Sequence, residues 1–236
     1  MKILMILTGL LVIGIFYAYP FYRTTKISAK LEENTIPYEQ SPADPDMTIL
    51  IAGDSTGVGT GATETQDSTA GRIGSLYPRA TITNISENGL KLEDLEQKLS
   101  SVSDTYDLIV LQIGANDIVR LSSFKNIEQR VESVLTLAEG IADNVLVLTS
   151  GNIGSSPTFR WPLSALMDYR TRKVREIFLS KISTHPKISY VDLYKERKDD
   201  EFSKDPQKYY AADKFHPSSN GYAIWFEKMK SVLASK

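Results

Sequence analysis

From Met47 onward, short uninterrupted apolar runs alternate with longer helix-forming stretches, and this alternation restricts the fold more than any other feature of the chain. The runs are Thr48 to Ala52, Thr81 to Ile85, Leu108 to Ile113, Val145 to Thr149 and Ile188 to Leu193. Most are continuous rather than alternating, as strands buried on both faces of a parallel sheet are. Helix candidates lie between them at Ser68 to Tyr77, Leu92 to Leu99, Ile127 to Ala142 and Leu163 to Ile182, with a last one from Ser218 to Leu233. Right-handed crossovers would then lay helices over both faces of the sheet, an α/β class. With 236 residues, 42% of them hydrophobic and 24% charged, the chain can bury one substantial core and carry an appendage.

The appendage is expected at the amino end. Ile3 to Tyr19 is almost unbroken apolar sequence, interrupted by Thr8 and ending in tyrosines. At about 1.5 Å per residue, roughly 17 to 20 such residues reach across a hydrocarbon core of about 30 Å. Tyr17, Tyr19, Phe21 and Tyr22 crowd the far end as an interfacial aromatic belt would, and Arg23 and Lys26 follow. Residues 1–25 are therefore expected to form a membrane anchor or signal segment, with membrane contact through residues 3–22. A small-x-small cleavage pair is hard to place, because Ala18 has Phe16 two residues before it, which favours an uncleaved anchor. The positive charges on the two flanks do not fix its orientation. The expected location is membrane-anchored with an extracytoplasmic folded domain, periplasmic or at the cell surface, or secreted if the segment is cleaved. Residues 26–46 are polar and carry Pro37, Pro42 and Pro45, the composition of a linker to a domain over 47–236.

A formal net charge of -2 lacks the basic excess that a phosphate backbone demands, so nucleic acid is not an expected partner. The absence of cysteine removes disulfides, thiolate metal sites and a cysteine nucleophile together. The two histidines, some thirty residues apart without a carboxylate trio, make a poor metal site. The glycines at 57, 59 and 61 lack the Gly-Lys-Ser/Thr ending of a phosphate loop. No metal and no cofactor are expected.

In open parallel sheets, ligands bind beyond the carboxyl ends of the strands. The first strand runs into Gly53-Asp54-Ser55-Thr56-Gly57, where glycines permit a tight turn and a serine hydroxyl can project. Gly-Asp-Ser is also ordinary turn chemistry, with Asp54 bracing the turn. Glu87-Asn88-Gly89 follows the second strand, and Gly114-Ala115-Asn116-Asp117 follows the third; each also reads as a loop or a helix start, the latter through Asp117. Asp213-Lys214-Phe215-His216-Pro217 precedes the final helix and puts a carboxylate within one turn of an imidazole. His185, before Pro186, reads as a loop residue. Gly151 to Trp161, with Phe159 and Trp161, would either line a pocket wall or cover the core.

Taken together, Gly53-Asp54-Ser55, Gly89, Gly114-Ala115-Asn116-Asp117 and Asp213-x-x-His216-Pro217 resemble the four ordered sequence blocks of the SGNH (GDSL) hydrolases, from about Met47 to the end of the chain. The resemblance implies a three-layer α/β/α fold with a flavodoxin-like parallel sheet of about five strands in the order 2-1-3-4-5. It implies Ser55 as nucleophile, His216 as base and Asp213 as the imidazole's partner. It further implies an oxyanion hole from the backbone N–H groups of Ser55 and Gly89 and the side-chain amide of Asn116. The implied activity is hydrolysis of carboxylic esters through an acyl-serine, on a small-molecule, lipid or carbohydrate ester. The polar stretch from Thr60 to Ser68 offers no apolar lid, which leans toward a small acyl group such as O-acetyl. An acyltransferase, a lysophospholipase or thioesterase, and a non-catalytic binding module on the same scaffold stay open as alternatives. The sequence leaves the oligomeric state open.

Overall fold

The computed structural model describes residues 1–233, apart from the side chains of residues 3, 4, 6, 10 and 13. The apolar runs form β1 (Met47–Gly53), β2 (Ala80–Asn84), β3 (Tyr106–Gln112), β4 (Ala142–Leu148) and β5 (Ile188–Val191). They make one sheet in the order β2-β1-β3-β4-β5, and every pairing is parallel. Because successive strand residues face opposite sides, a continuous apolar run feeds two cores at once. Leu50, Ala52, Ile109, Leu111, Val145 and Val147 point into one core; Ile49, Ile51, Leu108, Val110, Leu146 and Leu148 point into the other.

The first core is covered by α4 (Leu92–Ser100), α5 (Ala115–Val119), α6 (Phe124–Ile141) and α7 (Leu163–Ile182). In α6 the buried positions Ile127, Val131, Val134, Leu135 and Ala138 keep the helical spacing, and Ser123 starts the helix by accepting the Asn126 N–H at 3.2 Å. The second core lies under α3 (Thr69–Leu76) and α10 (Ser219–Leu233), where Tyr222, Trp225 and Met229 pack. Three short helices complete the body: α2 (Ser55–Val58) after β1, and α8 (Glu201–Lys204) and α9 (Pro206–Tyr209) between β5 and α10. The layers and the strand order are those that the four sequence blocks imply, so the tips of β2, β1 and β3 are neighbours.

The amino-terminal expectations need correction. Helix α1 runs unbroken over Lys2–Asn34, so the first part of the stretch read as linker is helical. Only the remainder is not helical, with Gln40 bridging antiparallel to Ile82 at the sheet's edge. Among the described residues, no helix is long and apolar enough to cross a membrane, and a span over residues 3–22 is not supported. The apolar run is only one part of α1, which continues through Pro20 into Arg23, Lys26, Glu32 and Glu33. The side chains of Ile3, Leu4, Ile6, Leu10 and Ile13 on which that expectation leaned lie outside the described residues.

The inner half of α1 sits on the α/β body, where Pro20 creates one of its contacts. Lacking an N–H, Pro20 leaves the carbonyl of Phe16 without its helical donor. Arg160 fills that role, its Nη1 donating to the Phe16 carbonyl at 2.9 Å while its guanidinium stacks 3.8 Å above the Phe16 ring. Beside it the Tyr17 hydroxyl donates to the carbonyl of Trp161 at 2.8 Å.

Candidate active site

The turn after β1 is set by close packing of backbone on backbone. A Cβ on Gly53 would come 1.9 Å from the Gln112 carbonyl oxygen, so only glycine lets β1 end against β3 here. The Asp54 N–H donates to that same carbonyl at 2.8 Å, and the chain then turns into α2 with Ser55 as its first residue. Asp54 caps the helix, its Oδ1 accepting from the Thr56 N–H at 2.9 Å and the Thr56 hydroxyl at 2.8 Å. This is the bracing role expected of it. Ser55 thereby stands at a helix start with its own N–H undonated to any protein acceptor among the described residues.

Burial pushes the Asp54 carboxyl up to about 6, against the opposing pull of its bonds to Thr56. A raised value means that the native state holds this proton more tightly than the unfolded chain does. The stabilisation is present in full below the ordinary carboxylate range and fades as pH climbs toward 6, on the order of 3 kcal/mol in all. Asp54→Asn keeps the Oδ1 acceptor and removes the titration. Its melting temperature is expected to exceed wild type at pH 7 and to show little or no advantage at pH 4. An equal offset at both pH values would refute the assignment.

The second half of the site comes from the turn before α10. His216 Nε2 lies 2.8 Å from Ser55 Oγ, and His216 Nδ1 lies 2.5 Å from Asp213 Oδ2. Asp213 Oδ1 accepts the backbone N–H groups of Phe215 at 2.9 Å and His216 at 3.0 Å. The turn closes with Lys214 in the left-handed region at φ 62, its N–H donating to Ala211 and its carbonyl accepting the Ser156 hydroxyl at 2.8 Å. Burial of Asp213 works to raise its pKa, but hydrogen bonding and charge from His216, the Phe215 N–H and the Ser28 hydroxyl hold it below the usual range. The group is therefore an ionised acceptor with four donors on two oxygens, the arrangement that fixes one imidazole tautomer and leaves Nε2 free to accept from the serine.

The remaining expected donors sit on the loops after β2 and β3. Gly89 adopts φ 77, open to glycine at no steric cost, and its N–H meets no protein acceptor among the described residues. Its loop is tied to the one after β1 through the Glu87 N–H to the Gly53 carbonyl at 3.0 Å and the Thr60 hydroxyl to Asn88 Oδ1 at 2.7 Å. Asn116, in α5, donates one Nδ2 hydrogen to the Leu90 carbonyl at 3.1 Å, and this bond orients the amide. Asp117 lies in the first turn of α5, the helix that starts here, and its Oδ2 accepts the first N–H of α4, from Leu92, at 2.9 Å. Arg170, buried in α7, clamps α5 by donating to the carbonyls of Asp117, Ile118 and Ser122.

A cavity of about 50 Å³ opens beside Ser55 and His216, walled by Ile153, Leu193, Phe202 and Trp225 among others. The segment after β4 contributes Gly151 to Ile153 and Ser156 to that wall. Its two aromatics do different things. Phe159 is buried against Phe215, and Trp161 is 76% exposed. His185 is held by Glu139, Nδ1 to Oε2 at 2.6 Å, at the opposite end of β5. No group of three His, Cys, Asp or Glu able to hold a metal occurs among the described residues. Sequence reasoning did not find Ser28, Ser156 or Arg170, because each acts through contacts distant in the chain and none falls in a sequence block.

Solved structures share this architecture. A lipolytic protein of the G-D-S-L family from Veillonella parvula superposes with a TM-score of 0.62 at 22% identity, covering 80% of this chain and 98% of its own. A protein from Lactobacillus plantarum gives 0.66 at 18% identity, over 81% and 98%. Axe2, an acetylxylan esterase from Geobacillus stearothermophilus, gives 0.54 at 18%, over 79% and 93%. At these identities they establish the fold alone. No curated protein matches the chain. The family described as GDSL-like lipase/acylhydrolase matches residues 51–224. With most of its length so matched, and Ser55 and His216 both inside the match, the chain belongs to the GDSL-like lipase/acylhydrolase family of hydrolases.

Proposed function

We propose that the protein is a serine esterase that removes small acyl groups, O-acetyl on carbohydrate above all, through an acyl-serine intermediate. The observation that carries this reading is the continuous hydrogen-bonded line from Ser55 Oγ through His216 to Asp213. Ser55 Oγ attacks the ester carbonyl while His216 Nε2 takes its proton. The carbonyl oxygen becomes an oxyanion facing the N–H groups of Ser55 and Gly89 and the Asn116 amide. As the tetrahedral intermediate collapses, the C–O bond to the alcohol breaks and the alcohol leaves with the proton from His216. Water then attacks the acyl-serine, gives its proton to His216, and the acid departs as Ser55 recovers the proton.

The narrow cavity beside Ser55 and His216, about 50 Å³, supports a small acyl group. The structural likeness to an acetylxylan esterase points the same way. A chain-length series of p-nitrophenyl esters tests this, with acetyl or propionyl expected to give the highest kcat/KM and octanoyl a value at least tenfold lower. Preference for octanoyl would turn the assignment to lipid acyl groups, as in a lysophospholipase or thioesterase. Acyl transfer uses the same intermediate, and capture of the acyl group by added glycerol or sugar would identify it.

Asn116→Ala removes one oxyanion donor and is expected to lower kcat about 10² to 10³-fold, with KM changing far less. A loss confined to KM would assign Asn116 to ground-state binding instead.

For location, our reading is an exported domain that touches the membrane through the outer part of α1. There Leu7, Leu11, Val12 and Ile15 are each more than half exposed, as a lipid-facing helix surface would be. Protease treatment of intact cells is expected to degrade the domain, and its complete protection would overturn export.

A further inference from the structure

The fourth donor on the Asp213 carboxylate comes from outside the matched family region. Ser28, in α1, donates its hydroxyl to Asp213 Oδ2 at 2.7 Å, and this oxygen is the same one that receives His216 Nδ1. One helical turn earlier, the Thr24 hydroxyl donates to the Asp213 backbone carbonyl at 2.9 Å and lies 2.8 Å from the Thr158 hydroxyl. Ser28 is 9% exposed, so water does not replace its bond freely. From the geometry of these contacts we infer that Ser28 is a positioning residue of the catalytic apparatus, by which α1 holds the Asp213 carboxylate in the orientation that the His216 imidazole requires. The inference rests on the reading of Ser55, His216 and Asp213 as the reacting set.

The physical case is one of geometry and charge together. A carboxylate can rotate about its bond to Cβ, and the two backbone N–H groups on Oδ1 restrain only one of its oxygens. The Ser28 hydroxyl restrains the other. A hydrogen bond to an ionised group is among the stronger ones available to a side chain. Buried with its carboxylate partner in native geometry, Ser28 also shares the charge that Oδ2 presents to Nδ1. Loss of the hydroxyl would leave Oδ2 with one donor in place of two and widen the range of imidazole orientations.

The test uses the full chain and a short ester such as p-nitrophenyl acetate. Ser28→Ala is expected to lower kcat about tenfold, with KM within twofold of wild type and a melting temperature close to it. The downfield NMR resonance of the proton between imidazole and carboxylate is expected to move, and Ser28→Thr, which keeps a hydroxyl, to restore most of the rate and the resonance. In an Asp213→Asn background, Ser28→Ala should cost nothing more, because the charge it serves is gone. Wild-type kcat in Ser28→Ala, a loss that follows only the melting temperature and is not rescued by threonine, or the same tenfold cost in the Asp213→Asn background would each overturn the inference. Undiminished activity of Ser55→Ala or Asp213→Asn would overturn the underlying assignment of the site instead.

Discussion

Ser55→Ala is expected to abolish the esterase almost completely, with kcat falling about 10⁴ to 10⁶-fold and KM little changed. The size follows from what the residue supplies. In the proposed mechanism its Oγ, 2.8 Å from His216 Nε2, is the atom that forms the covalent bond, and donors around an oxyanion cannot replace a missing nucleophile. Ser55 is 7% exposed and its hydroxyl bonds to His216 alone among the described residues, so alanine is expected to fold normally. A fluorophosphonate probe should label wild type and leave Ser55→Ala unlabelled. Retention of more than about 1% of the wild-type rate, or labelling at another residue, would reject Ser55 as the nucleophile.

Asp213→Asn carries the next largest expected effect, a fall in kcat of about 10⁴-fold, the scale on which a triad aspartate is felt when made an amide. Here the structure dictates how the amide would sit. Phe215 and His216 donate two backbone N–H groups to Oδ1, so the asparagine oxygen must take that place and its NH₂ must face His216 Nδ1. Nδ1 would then have to accept, the imidazole proton would move to Nε2, and Nε2 could no longer take the proton of Ser55. Steady-state kinetics with the melting temperature measured alongside checks this, and a loss below about tenfold would remove Asp213 from the tautomer-fixing role.

Much of the scaffold was legible because the signals that report it are local. The doubly buried strands carry continuous apolar runs, and the strand that ends at Gly53 leads straight into the turn bearing Ser55. Element ends were less legible. β3 begins at Tyr106, two residues before its apolar run, because neighbouring strands extend it; Thr48 N–H and hydroxyl both donate to Asp107 Oδ2. The short turn from Asp213 to His216 was readable from spacing alone. The contacts that steady that turn were not, since the Ser156 hydroxyl on the Lys214 carbonyl and the Ser28 hydroxyl on Asp213 come from segments 58 and 185 residues away. A serine in a polar stretch announces no partner. The two aromatics after β4 were likewise indistinguishable in sequence, although one is core and the other surface.

Helix α1 joins an apolar outer end to a hydroxyl on the Asp213 carboxylate within one continuous helix of 33 residues. That continuity makes the site of any proteolytic maturation decisive. A peptidase trimming the chain before Thr24 would release the apolar end and spare the donor, whereas a cut between Ser28 and Met47 would free a domain with all four sequence blocks and a less well-held aspartate. Any such trimming would then set the specific activity of the domain it leaves behind.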